Sequence, residues 1–276
     1  MIISISQMVS LVCYANAVVQ TNQPIEFAVN DQQLHERYSF QFVFAESQSD
    51  EVAIARDMAS WIEWLRQQGL LDVQLVFKPN QDLNFPDHET YQLPNLDAHW
   101  SMIIRCRDAV SLWTVKWSVG NESERSHPDY EPAWNIRYTG KAINTHALPQ
   151  GESLEEVESR LWSAINSANE YAKTFHNTSH FIHWLEQGLG YLKCNEGRLA
   201  EYFPYWAKLQ ANSQAKRILA AADDAWVFGG MGSWNEPWYK YESGDENLYH
   251  AITTELYGAL VAAIVTATNS TIRRTN

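Results

Sequence analysis

SLWTVKWSV, residues 111–119, is the stretch that decides the fold class of the first half of the chain. From Trp113 to Val119 the odd positions are apolar and the even positions are polar. Because neighbouring side chains of a β-strand point to opposite faces, this alternation predicts a strand with one buried face. The apolar run 101–106 precedes it across a three-residue turn, so we expect an antiparallel hairpin.

Further strands are predicted on both sides of this hairpin, where aromatic and β-branched residues cluster. A helix is predicted from a cap at Asp50 to Gln68, with Gly69 ending it. Residues 2–20 fit either a helix or a buried strand. The other predicted strands lie at 38–45, 73–77 and 134–138.

The second half of the chain carries helical patterns instead. Ser153 and Glu156 have the spacing of a capping box, in which each side chain bonds to the other residue's backbone N–H. Apolar residues then recur every three or four positions from Leu154 to Phe175, which predicts a long amphipathic helix. Further helices are predicted at 180–192, 198–210, 214–228 and 245–270.

This segregation of strands before residue 140 and helices after residue 150 predicts an α+β fold. We expect an N-terminal mixed or antiparallel sheet with a helix, and a C-terminal half that is mostly helical. Two domain organisations stay open. Either residues 1–150 and 151–276 are separate units, or the helices cover one face of the sheet in one continuous domain.

Charge and composition exclude some classes of ligand. The chain has 276 residues, with 20 Lys and Arg against 33 Asp and Glu, and a formal net charge of −13. That charge repels nucleic-acid backbones and anionic lipid, so we expect neither a nucleic acid nor a membrane as partner. We also expect no stretch to reach the about 20 apolar residues that a membrane span needs.

The cysteines and the N-terminus indicate the compartment. The three cysteines, Cys13, Cys106 and Cys194, are widely separated and odd in number, which is typical of reduced thiols rather than a disulfide framework. No Lys or Arg precedes Arg37, so the basic start of a secretion signal is missing. We therefore expect a cytoplasmic protein.

A glycine-rich aromatic loop, AWVFGGMGSWNEPWY at residues 225–239, is the strongest candidate for a functional surface. Its glycines permit a sharp turn, and its indoles either fill the core or, where exposed, anchor a partner. A phosphate-binding role is disfavoured because the loop follows a helix and contains no lysine. The predicted partner-binding residues are Met231, Trp234, Asn235, Glu236, Trp238 and Tyr239.

Two resemblances bear on this loop. Trp234-Asn235-Glu236-Pro237 resembles the acid/base motif of retaining glycoside hydrolases built on TIM barrels, which implies that Glu236 would protonate a leaving group. The alternating β/α units of that barrel are missing here. The GGMGSWN-type loop also resembles a feature of uncharacterised bacterial cytoplasmic proteins. In its acidic, tryptophan-rich character the chain is similar to bacterial immunity proteins that neutralise toxins.

Histidines and acidic pairs are weaker candidates. His176, His180 and His183 would share one face of a continuous helix, but Thr178-Ser179 has the pattern of an N-cap that would break it. Whether a metal binds near His180 and His183 stays open. Two acidic pairs, Asp223 with Asp224 and Glu122 with Glu124, are interpreted as solvated surface. We predict no catalytic residue, no metal site and no cofactor.

The sequence therefore favours a non-catalytic binding protein whose partner is another, basic protein, since complementary charge selects partners and speeds encounter. An immunity-type inhibitor of a bacterial toxin is the leading form of this hypothesis. Two alternatives stay open: a hydrolase that uses Glu236 or an unrecognised carboxylate pair, and a structural subunit of an assembly. The oligomeric state is not predicted.

Overall fold

A six-stranded mixed sheet carries the first half of the chain. The computed structural model describes residues 3–21, 38–46, 50–78, 100–120, 133–144, 152–195, 199, 211–229, 233–234 and 246–272. The strand order is β2-β1-β6-β5-β4-β3, with β1 parallel to β6 and every other pair antiparallel. The strands are β1 Tyr38–Ala45, β2 Glu51–Ala55, β3 Leu70–Phe77, β4 Trp100–Cys106, β5 Val110–Gly120 and β6 Ala133–Ala142.

The described helices complete an α+β fold, as predicted. Most of them follow the sheet in the chain, and the predicted hairpin is present as β4 and β5, with Met102 opposite Trp113. The helices are α1 Ile3–Thr21, α2 Met58–Gln67, α3 Leu154–Thr174, α4 Ile182–Leu192, α5 Ser213–Asp224 and α6 Glu246–Asn269, with a 3-10 helix at His176–Phe181 before α4. The predicted helix at 198–210 lies outside the described residues except for Leu199.

One face of the sheet is filled by aromatic rings beneath α2. Phe42 of β1 stacks on both Trp61 of α2 and Tyr138 of β6, with ring centroids 4.7 and 4.9 Å apart. Trp113 meets Trp61 edge-on and lies directly over Gly140, where any Cβ would overlap its indole. The register of β5 and β6 therefore depends on a glycine at position 140.

The predicted start of α2 is wrong. Residues 51–55 pair with β1 as a strand, and α2 begins only after Asp57, whose carboxylate accepts from the Ser60 backbone N–H at 2.7 Å. Both Asp50 and Asp57 precede an apolar run, so either could cap a helix by its local sequence. Asp57 is the cap because residues 51–55 pair with β1, which is distant from the helix in the chain. The capping box at Ser153, which needs no distant partner, is confirmed.

The outer edge of the sheet at β3 is sealed by two asparagine side chains. Asn16 of α1 accepts from the Val73 N–H and donates to the Val73 carbonyl, both at 2.9 Å. Asn269 at the end of α6 makes the same pair of bonds with Leu75, both at 2.8 Å. Each amide thus replaces one peptide of a missing neighbouring strand, which satisfies backbone groups that an edge leaves unpaired.

Both asparagines also join the two halves of the chain. The Asn16 amide reaches the Thr271 hydroxyl at 3.1 Å, so α1, β3 and the end of α6 share one network. Buried residues of α1, the sheet and helices α3 to α6 belong to one continuous hydrophobic core. Among the described residues, packing therefore runs without interruption across the boundary near residue 150.

Helix α6 is the central helix of the C-terminal half. Leu256, Leu260 and Ile264 of α6 are buried, whereas Leu248 near its start is 44% exposed. By length and composition α6 also qualifies as a membrane-spanning helix, contrary to the expectation that no stretch would. However, 56% of the most apolar 18-residue stretch of α6 is buried inside the protein. A helix in a hydrophobic core can have the same length and composition.

Replacing Asn269 with leucine should destabilise the protein by about 2–4 kcal/mol, because the Leu75 N–H and carbonyl would lose their partners. Urea unfolding followed by circular dichroism measures the change. Asn135→Ala is the matched control, because the Asn135 side chain is exposed on β6 and bonds only to the Ser39 hydroxyl in the described part of the chain. A loss no larger for Asn269→Leu than for Asn135→Ala would contradict the sealing role.

Candidate functional site

A recess of about 370 Å³ opens where the start of α4 meets the end of α5. We call it the Asp224 recess. Its lining combines acidic, aromatic and histidine side chains. The residues that define it are His180, Trp184, Asp223, Asp224, Trp226 and Phe228.

A close helix contact brings these side chains together. At Gly188 of α4, an added Cβ would lie 3.1 Å from both the Ala221 carbonyl oxygen and the Ala225 Cβ. That spacing is tighter than most Cβ contacts, so a larger residue at position 188 would require α4 or α5 to shift by a few tenths of an ångström. The contact holds the last turn of α5, with its two aspartates, beside the turn of α4 that carries Trp184.

Hydrogen bonds of Trp234, which follows α5 in the chain, attach this residue to α6. Trp234 Nε1 donates to the Thr253 hydroxyl at 2.9 Å, and the Tyr249 hydroxyl donates to the Trp234 carbonyl at 2.6 Å. The Trp234 backbone N–H donates to the Val227 carbonyl at 2.8 Å, which closes the chain back on itself. Helix α6 therefore fixes the part of the chain that carries Trp226 and Phe228.

This arrangement corrects one predicted site residue. The Trp234 side chain is fully buried and packs on Tyr171, Phe181 and Tyr249, so it stabilises the core rather than facing a partner. Its hydrogen-bonded indole and apolar surroundings explain the burial. The other five, Met231, Asn235, Glu236, Trp238 and Tyr239, lie outside the described residues and stay predictions.

Asp224 is the most strongly perturbed carboxylate in the described structure. Burial and the neighbouring Asp223 carboxylate together raise its pKa from 3.8 to about 6, although the positive charges of the N-terminus and of His183 oppose the shift. Its Oδ2 is buried and accepts no hydrogen bond from the described residues. The interpretation of Asp223 and Asp224 as solvated surface is therefore wrong for Asp224, because the end of α5 turns against α4.

The backbone adds to this negative environment. Asp223 and Asp224 occupy the last turn of α5, where the helix dipole is negative and no basic residue of the helix itself lies. Acidic residues are disfavoured at that end of a helix. Two carboxylates and a helix C-terminus therefore share one recess, in which His183 offsets part of the charge of Asp224.

Aromatic rings form the other side of the recess. Trp184 is 48% exposed, one of the largest exposed apolar side chains in the described structure. Trp226 and Phe228 are buried and pack edge to face, with centroids 6.1 Å apart. Carboxylates beside aromatic faces are a chemistry suited to organic cations.

The histidines do not make a metal site in the residues that the structure describes. His180 lies in the 3-10 helix and His183 in α4, both exposed, and no group of three or more metal-ligating side chains occurs in the described ranges. Thr178 is not the predicted N-cap: its hydroxyl donates to the Phe175 carbonyl at 2.9 Å. The His176 side chain lies outside the described residues.

No protein-family model, curated protein or solved structure matches this chain.

Asp224→Asn should be more stable than the wild type above pH 6. Because folding raises the Asp224 pKa, the folded protein keeps this proton between pH 3.8 and about 6 while the unfolded chain releases it. Wild-type stability therefore falls as pH rises through that window, by up to about 1 kcal/mol after a discount for partial exposure.

The measurement is urea unfolding of both proteins at pH 4 and pH 7.5. Glu63→Gln, which removes one charge and an exposed ion pair with Arg66 on α2, tests whether the loss of a surface charge alone produces the effect. If the stability difference between Asp224→Asn and the wild type is the same at both pH values, the buried ionised carboxylate is ruled out.

Proposed function

We propose that this protein is a non-catalytic binding protein that recognises another, basic protein, in the manner of an immunity protein that neutralises a toxin. The observation that carries the proposal is the Asp224 recess, which joins two adjacent aspartates, one with a raised pKa, to an exposed indole. Tryptophan and charged residues in desolvated pockets are the usual energetic centres of protein interfaces.

The overall charge supports a basic partner. A net charge of −13 accelerates encounter with a positively charged surface and discriminates against acidic proteins. Toxins that act on nucleic acids are positively charged because they hold phosphate, so an acidic inhibitor suits them as partner. The predicted cytoplasmic location agrees with an inhibitor that protects its own cell.

The exposed apolar residues favour a local contact over a structural subunit. The large exposed apolar side chains in the described structure are Val52, Leu71, Trp162, Trp184 and Leu248. They lie on five different elements, β2, β3, α3, α4 and α6. A subunit of a permanent assembly would concentrate such residues in one patch.

Trp184→Ala should weaken partner binding at least tenfold, since interface tryptophans commonly contribute about 2 kcal/mol or more. The partner is first captured from an extract of the source cell at low salt, identified, purified, and measured against each variant by calorimetry. Trp162→Ala is the matched control, because Trp162 is 41% exposed on α3 and does not line the recess.

Equal losses of affinity for Trp184→Ala and Trp162→Ala, or no loss for either, would contradict the placement of the interface at the Asp224 recess. Recovery of no stoichiometric partner at low or moderate salt would count against the binding function itself.

A hydrolase remains the second candidate, because Asp224 has the raised pKa of a general acid and shares the recess with Asp223 and His180. The test is hydrolysis of chromogenic esters, phosphates and glycosides by the wild type and by Asp224→Asn. Turnover that the substitution abolishes would favour the enzyme, and absence of turnover in every assay would favour the binding protein.

A further inference from the structure

We infer that two copies of this protein pair reversibly through strand β2, antiparallel to each other about a two-fold axis at Val52. The pairing joins two six-stranded sheets edge to edge. It is independent of the proposed function, which concerns the Asp224 recess.

The two edges of the sheet differ in how their backbone groups are satisfied. The β3 edge is bonded to the side chains of Asn16 and Asn269. On the β2 edge, residues 51–53 are exposed, and in the described part of the chain no side chain or neighbouring segment bonds to their outward backbone groups. An exposed edge strand of this kind is a template for pairing with another strand.

The pairing with β1 shows which backbone groups of β2 point outward. The Glu46 N–H donates to the Asp50 carbonyl at 3.0 Å, so the even-numbered residues on this side of the hairpin bond to β1. The N–H and carbonyl groups of Glu51 and Ala53 therefore point away from the sheet. In a two-fold pairing each Glu51 lies opposite Ala53 of the second copy, which gives four hydrogen bonds.

The centre of this edge is apolar and matches itself. Val52 is 44% exposed and would lie opposite Val52 of the second copy, at the type of position where opposing side chains approach most closely. Glu51 forms an ion pair with Arg137 on its own sheet and would face an alanine. No like charges therefore meet directly across the axis.

The ends of the edge are complementary in charge. Glu46 and Asp50 precede β2, whereas Arg56 directly follows it, is exposed and forms no ion pair within the described ranges. An antiparallel copy brings its own Arg56 to the acidic end of the other strand. This charge complementarity favours a second copy of the chain as the occupant of the edge.

The contact is small, so the dimer is weak. A β-bulge after Ala53 ends the regular stretch, and three paired residues bury far less than the about 1,200 Å² of a stable interface. Two copies with a net charge of −13 also repel each other. The pairing therefore depends on high protein concentration and on salt that screens this repulsion.

The experiment is sedimentation equilibrium of the full-length protein in about 0.15 M salt, from about 10 μM to about 1 mM protein. We expect the average mass to rise with concentration from 31.7 kDa towards twice that value. Val52→Lys should weaken association at least about tenfold, because two lysines would meet at the axis. Leu71→Lys is the matched control: Leu71 is 53% exposed on β3, at the opposite edge, and this variant should associate within a factor of two of the wild type.

Amide hydrogen exchange of the wild type, followed by NMR at the same concentrations, tests the register. Exchange of the Glu51 and Ala53 amides should slow in proportion to the loss of monomer, and that of Val52, which already bonds to β1, should change less. A monomer mass at every concentration, equal weakening by Val52→Lys and Leu71→Lys, or self-association that leaves the Glu51 and Ala53 amides unchanged would each overturn the inference.

Discussion

Two asparagine side chains, Asn16 and Asn269, occupy the position that a seventh strand would take beside β3. Each presents an N–H donor and a carbonyl acceptor in the spacing of a peptide group, and each bonds to both backbone groups of one residue, Val73 or Leu75. An edge strand that is half covered by helices would otherwise hold buried, unpaired backbone groups. The sheet and the helices therefore depend on the same four hydrogen bonds.

The attachment of α6 to the sheet also affects the Asp224 recess. Asn269 fixes the end of α6 against β3, and the first half of α6 supplies Tyr249 and Thr253, which hold Trp234 in place. Trp234 in turn bonds to Val227, between the two aromatic residues that line the recess. The geometry of a surface recess is thus tied, through one long helix, to the edge of a distant sheet.

The features that were predicted correctly depend on residues close together in the chain. The capping box at Ser153 and the alternation along β5 involve residues a few positions apart, and both are present as expected. The cap at Asp50 and the solvated position of Asp224 were wrong, because strand pairing with β1 decides the first and the packing of α5 on α4 decides the second. The roles of Asn16 and Asn269 leave no local signal, since each contacts a strand far away in the chain.

Asp224 is a desolvated carboxylate whose negative charge is only partly offset by its neighbours. Its own titration tests this most directly, by NMR of side-chain carboxyl carbons in protein labelled at aspartate, with Asp224→Asn identifying the signal. We expect a midpoint near pH 6 for the free protein, far above the ordinary aspartate value of 3.8. A midpoint at or below 3.8 would show a solvated or already compensated group and would contradict the claim.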